Sequence, residues 1–162
     1  MEGWEGYRVD QVDVRARNVV PLYKPNLVLV NAGTNDATQG YYVESTGERM
    51  RAMINYIFDT LPNTCVVFST LLPNTLSPTN VALINSQYRA LAQEFIANGK
   101  RLVLVEFDNG WLTNGRLDRH DAPHRFWVPE DGSPVDLSAA VRSNKSDMVV
   151  ISDCLIGNLG RI

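Results

Sequence analysis

Leu27-Val28-Leu29-Val30-Asn31-Ala32 runs directly into Gly33-Thr34-Asn35-Asp36. An apolar run of that length, preceded by Lys24-Pro25-Asn26, predicts a buried strand of a parallel sheet. In open α/β sheets, ligands bind in the crevice beyond the carboxyl ends of such strands. Gly33 lets the backbone turn tightly there. Asn35 can aim a side-chain amide into the crevice, and Asp36 can pin the turn by accepting from local N–H groups. An amide held at that place is the kind of donor that stabilises an oxyanion. The same four residues also suit an ordinary strand-to-helix turn, so their surroundings have to decide.

Upstream, Val9, Val12, Ala16, Val19 and Val20 recur at helical spacing and predict a helix over about 9–22, with Pro21 and Pro25 marking the turn into the strand. Downstream, residues 34–47 read as a long polar loop whose Tyr41 and Tyr42 either line a substrate cleft or cover the sheet edge. Met50, Met53, Ile54 and Ile57 predict a second helix over 48–61, ended by Pro62. Residues 64–70 give a strand and the Pro-containing stretch 71–79 a loop. A third helix runs from Thr79 or Asn80 to Ala97, with Leu83, Ile84, Tyr88, Leu91, Phe95 and Ile96 on its period and Asn98-Gly99 as its end. Residues 101–107 form a third strand. These alternations predict an α/β fold, a three-layer α/β/α sandwich with a parallel sheet and right-handed crossovers.

A length of 162 residues suits one domain with a real core. A net charge of −3 and a pI near 5.3 supply no basic field for nucleic acid. No apolar run reaches membrane-spanning length, and Met1 leads into charged, Gly-containing sequence rather than a signal peptide. Cys65 reads as a small core residue, whereas Cys154 falls in the unpatterned tail.

Three separated motifs carry a resemblance. Glu2-Gly3-Trp4-Glu5-Gly6-Tyr7-Arg8 precedes the first strand, Gly33-Thr34-Asn35-Asp36 ends it, and Leu71-Leu72-Pro73-Asn74 follows the second. In that order they resemble the SGNH (GDSL-type) hydrolases, above all the esterases of carbohydrate esterase family three and their fungal relatives. The likeness covers about two thirds of the chain, residues 2–110. It implies a serine ester hydrolase acting on acetyl or other short acyl esters of carbohydrates, with no cofactor and no metal. Gly6 through its backbone N–H and Asn35 through its side chain would hold the oxyanion, with Gly33 and Asp36 at the substrate. The implied partner is a small-molecule or carbohydrate ester; the family is often secreted.

Two parts of that machinery are missing. The family's nucleophilic serine lies in a Gly-Asp-Ser turn after a strand upstream of the second-block glycine, and here only five residues precede Gly6. None of the nine serines replaces it; Ser69, the best placed, lies inside a strand without a glycine elbow. The fold is therefore expected to be N-terminally truncated, with an unpaired edge beside the Leu27 strand. The family's last block, Asp-x-x-His-Pro followed by Gly-Tyr, is also absent in frame. Arg119-His120-Asp121-Ala122-Pro123-His124-Arg125-Phe126-Trp127-Val128 can be encoded so that the shifted frame reads Asp-Thr-Thr-His-Pro-Thr-Asp-Phe-Gly-Tyr. This predicts a frame slip between about Asp108 and Arg119, a partial hydrolase domain over 1–113 and an irregular, out-of-frame tail over 114–162. The in-frame alternative is an Asp121–His124 dyad, whose spacing can set a carboxylate on an imidazole base. His120 and His124 lack the further ligands of a metal site. The rival function is a non-catalytic remnant or glycan-binding module. A flavodoxin-like nucleotide binder is disfavoured, because no Gly-rich phosphate loop follows a strand.

Overall fold

Apolar residues spaced three and four apart turn each helix into a one-faced wedge, and the sheet receives those faces. The computed structural model describes residues 2–3, 6–108 and 148–152. In chain order these form β1 (Glu2–Gly3), α1 (Val9–Tyr23), β2 (Leu27–Asn31), α2 (Thr34–Gln39), a 3₁₀ turn (Val43–Ser45), α3 (Thr46–Thr60), β3 (Cys65–Ser69), α4 (Pro78–Ala97), β4 (Leu102–Val105) and β5 (Met148–Ser152). The sheet has the order β1-β5-β2-β3-β4, and every pairing in it is parallel. The fold is α/β.

Val9, Val12, Ala16 and Val20 of α1 are buried, as are Met50, Met53, Ile54, Ile57 and Phe58 of α3. The buried face of α4 runs through Val81, Ile84, Asn85, Tyr88, Leu91, Ala92 and Phe95. Leu83 and Ile96, expected on that face, are 41% and 50% exposed instead. The helical period holds and its phase is slightly different, because the buried polar Asn85 belongs to the inner stripe.

Helix α1 continues through Pro21 to Tyr23 rather than stopping at the proline. Pro21 has no N–H to offer the Arg17 carbonyl four residues back. The Tyr56 hydroxyl donates to that carbonyl at 3.1 Å, so the orphaned acceptor is satisfied from α3. Lys24 then ends the helix in the left-handed conformation, its N–H bonded to the Val20 carbonyl.

Two expectations need correcting. Residues 34–47 are not one open loop: Thr34–Gln39 is helical, and a 3₁₀ turn leads into α3, which starts at Thr46. The open edge beside the Leu27 strand is also not there. β5 pairs with β2 over its whole length, Leu27 opposite Met148 and Asn31 opposite Ser152, and pairs with β1 on its other side. Ile151 is fully buried in the common core. A segment near the chain's end thus supplies a central strand, and the sheet is closed where truncation was expected to leave it bare.

Candidate active site

The carboxyl ends of the strands gather the conspicuous residues. β2 ends at Asn31, whose Nδ2 donates to Ser69 Oγ at 2.6 Å at the end of β3. Ser69 is 5% exposed, so this strand-end serine is a structural partner rather than an open nucleophile. Gly33 follows with φ +118°, and a Cβ there would stand 2.5 Å from the Tyr88 hydroxyl. That hydroxyl is fixed, since Tyr88 is fully buried and donates to the Ala32 carbonyl at 2.8 Å. Both the backbone angle and the crowding demand glycine here.

Asn35 stands in the first turn of α2 and donates through Nδ2 to the Tyr7 carbonyl at 2.9 Å. Tyr7 is the neighbour of Gly6, which has φ +79° and open space where a Cβ would be. Gly6 is therefore required by its backbone conformation, not by packing. The bond from Asn35 joins the two distant motifs and fixes the direction of the amide.

Asp36, expected at the substrate, is fully buried. Its Oδ2 accepts the Val9 N–H at 2.9 Å, one of the orphan donors at the start of α1. Its Oδ1 accepts from Arg49 Nη2 at 2.8 Å. Arg49 also reaches the Tyr41 carbonyl at 3.1 Å, Thr46 Oγ1 at 3.0 Å and Ser45 Oγ at 2.8 Å. Asp36 thus ties α1, α2 and α3 together around Asn35 and has no exposed surface to offer a substrate. Losing Arg49 would leave a buried carboxylate without its cation. Arg49→Met should therefore cost about 2–3 kcal/mol by chemical denaturation, somewhat below a fully buried pair because Arg49 is partly exposed. Adding Asp36→Asn to that variant should recover part of the loss; a strictly additive double variant would contradict the coupling.

The third motif is held by a residue that sequence reading missed. Asn85 accepts the Leu71 N–H at 2.7 Å and donates to the Leu71 carbonyl at 3.1 Å and to Asp108 Oδ2 at 3.1 Å. Arg89, on the same helix, grips both oxygens of Glu106 at 2.9 Å, and these bonds raise the guanidinium pKa above its ordinary value. Asn85 sits at i−3 from Tyr88 on α4, a polar residue inside an apolar stripe, and that was the available signal.

Tyr42 is 68% exposed and has φ +41°, in the left-handed region that bulky residues avoid. Its carbonyl accepts from the Ser45 N–H at 3.0 Å and from Arg49 Nη1 at 3.2 Å. Asp121, His124 and the expected frame slip lie outside the described residues. Among the described residues no group of three potential metal ligands occurs, and no helix is long and apolar enough to cross a membrane.

The GDSL-like Lipase/Acylhydrolase family model matches residues 1–140. The chain belongs to the GDSL-like lipase/acylhydrolase family. Solved structures agree on the fold of this GDSL-like chain. A Clostridium thermocellum family 3 carbohydrate esterase is 19% identical at TM-score 0.59, over 68% of this chain and 52% of that one. A carbohydrate esterase family 3 protein from Talaromyces cellulolyticus is 19% identical at TM-score 0.57, over 62% and 50%. An acetyl esterase, solved as a serine-to-alanine mutant with acetate ion, is 19% identical at TM-score 0.58, over 68% and 57%. The chain spans about half the length of these structures. No curated protein matches it.

Proposed function

We propose that this chain carries the oxyanion half of a serine-type esterase site for acetyl or other short acyl esters of carbohydrates. The observation that carries the reading is the Asn35 Nδ2 bond to the Tyr7 carbonyl beside Gly6, at the carboxyl end of β2. When a nucleophile attacks an ester carbonyl, the carbonyl oxygen becomes an oxyanion, and donors already fixed in place stabilise it without reorganising. The Gly6 N–H and the Asn35 amide are those donors. Asp36 and Arg49 keep them in place by fixing α1 against α2. Residues 1–113 supply neither the nucleophile nor the base; residues 114–162 were expected to be an irregular, out-of-frame tail, yet β5 within them pairs with β2 and buries Ile151. Asp121 and His124 are the in-frame alternative for the base.

Purified chain should then hydrolyse aryl acetates only at the background rate, since no acyl-enzyme can form. A repaired version should gain activity. In it, an upstream strand ending in Gly-Asp-Ser takes the edge of β2, and an Asp-x-x-His-Pro block replaces the tail. The upstream strand and β5 claim the same edge, so the repair has to omit residues 148–162.

One observation favours a second reading. β5 occupies the place beside β2 where the upstream strand was expected, and Ser152 at its end is followed in sequence by Asp153-Cys154. Cys154 lies outside the described residues, but in sequence it follows Ser152 by two positions, as the serine follows the glycine in Gly-Asp-Ser. Aryl acetate turnover by the unaltered chain, abolished in Cys154→Ala, would favour this thiol reading over the inactive one.

A further inference from the structure

We propose that Tyr42 is the stacking platform for the sugar ring of the carbohydrate ester, an assignment that rests on the esterase reading above. Its backbone is the first argument. Gly40 takes the left-handed conformation without strain, yet two residues later the chain places a tyrosine at φ +41°. Strain of this kind persists only where surrounding contacts over-determine it. Here the Ser45 N–H and Oγ and the Arg49 guanidinium all converge on the Tyr42 carbonyl. The backbone at residue 42 is therefore fixed before any ligand arrives, so that binding restricts only the ring's two side-chain torsions.

The second argument is the contrast with its neighbour. Tyr41 is packed by cations, with the Arg8 guanidinium 4.1 Å and that of Arg49 5.3 Å from its ring centre. Tyr42 meets Tyr41 edge to face at 4.8 Å and is 68% exposed. Tyr41 is the support and Tyr42 the open ring. A pyranose has one face lined by C–H groups, and these slightly positive edges complement the negative face of an aromatic ring.

Position is the third argument. Asn35 bonds the Tyr7 carbonyl, the adjacent Arg8 covers Tyr41, and Tyr41 carries Tyr42. Four residues of α2 follow Asn35, a rise of about 6 Å, and the Tyr41 N–H returns to the Asp36 carbonyl at 2.9 Å. An ester held at Asn35 and a sugar on Tyr42 are thus set at the two ends of one short helix.

The test is an NMR titration of the full ¹⁵N-labelled chain with monoacetylated methyl β-cellobioside and, as the ester without a sugar, ethyl acetate. Asn tolerates the left-handed region, so Tyr42→Asn removes the ring without adding strain. It should keep or raise Tm, weaken the glycoside about tenfold, as loss of a stacked ring implies, and leave ethyl acetate unchanged. Tyr42→Phe should bind the glycoside like the unaltered chain. Equal glycoside Kd for Tyr42→Asn and the unaltered chain overturns the assignment while leaving the esterase reading in place. So does an unaltered chain that does not prefer the glycoside to ethyl acetate. Failure of the esterase reading shows elsewhere, as a repaired enzyme without turnover.

Discussion

Ile151→Asp should abolish cooperative folding. Ile151 is fully buried in the core cluster and belongs to β5, the strand between β1 and β2. A carboxylate placed there loses the apolar contacts of the isoleucine and has to be buried without a partner or protonated. The combined cost exceeds about 4 kcal/mol, against a total stability of roughly 5–15 kcal/mol for a domain. Circular dichroism should show no cooperative melt above room temperature, and size exclusion should show association through the exposed edge of β2. Ile151→Val, which keeps the shape nearly intact, should cost about 1 kcal/mol. An Ile151→Asp protein that melts like the unaltered chain would mean that β5 is not the strand that closes the sheet.

This strand marks the boundary of what the sequence made legible. The Leu27 run, the helical spacing around Met50–Ile57 and the Gly-Thr-Asn-Asp turn are local patterns, each carried by residues within one or two turns of each other. They lead to β2 and α3 with small errors at the ends, whereas α2 falls where a loop was expected. Met148–Ile151 is visible as an apolar run, yet its partners Leu27–Asn31 lie over a hundred residues away. Parallel pairing between such distant segments leaves no local trace, so the sequence alone suggests a truncated sheet. In the site, Gly33 and Asn35 are readable from turn chemistry. Asp36 is not, because composition does not tell whether a carboxylate faces a crevice or a helix start. Arg49 leaves no sequence signal of its role and Asn85 only that of a polar residue in an apolar stripe, since each acts on a segment remote in sequence: Asn85 on Leu71, Arg49 on Asp36 and Tyr41.

The second large effect concerns Asn35. Its amide bonds the Tyr7 carbonyl, so the donor is oriented before any substrate arrives. Such preorganisation matters most at the oxyanion, where charge exists only during the reaction. In the proposed oxyanion site, Asn35→Ala should therefore remove transition-state stabilisation with little loss of ground-state binding. Loss of one oxyanion donor typically lowers kcat by about 10²–10³.

The most direct measurement is kcat and KM for aryl acetate hydrolysis by the repaired enzyme and its Asn35→Ala variant, side by side. The account predicts a kcat lower by about 10²–10³ and a KM within about threefold. A repaired enzyme without turnover, or an Asn35→Ala variant with unchanged kcat, would contradict it.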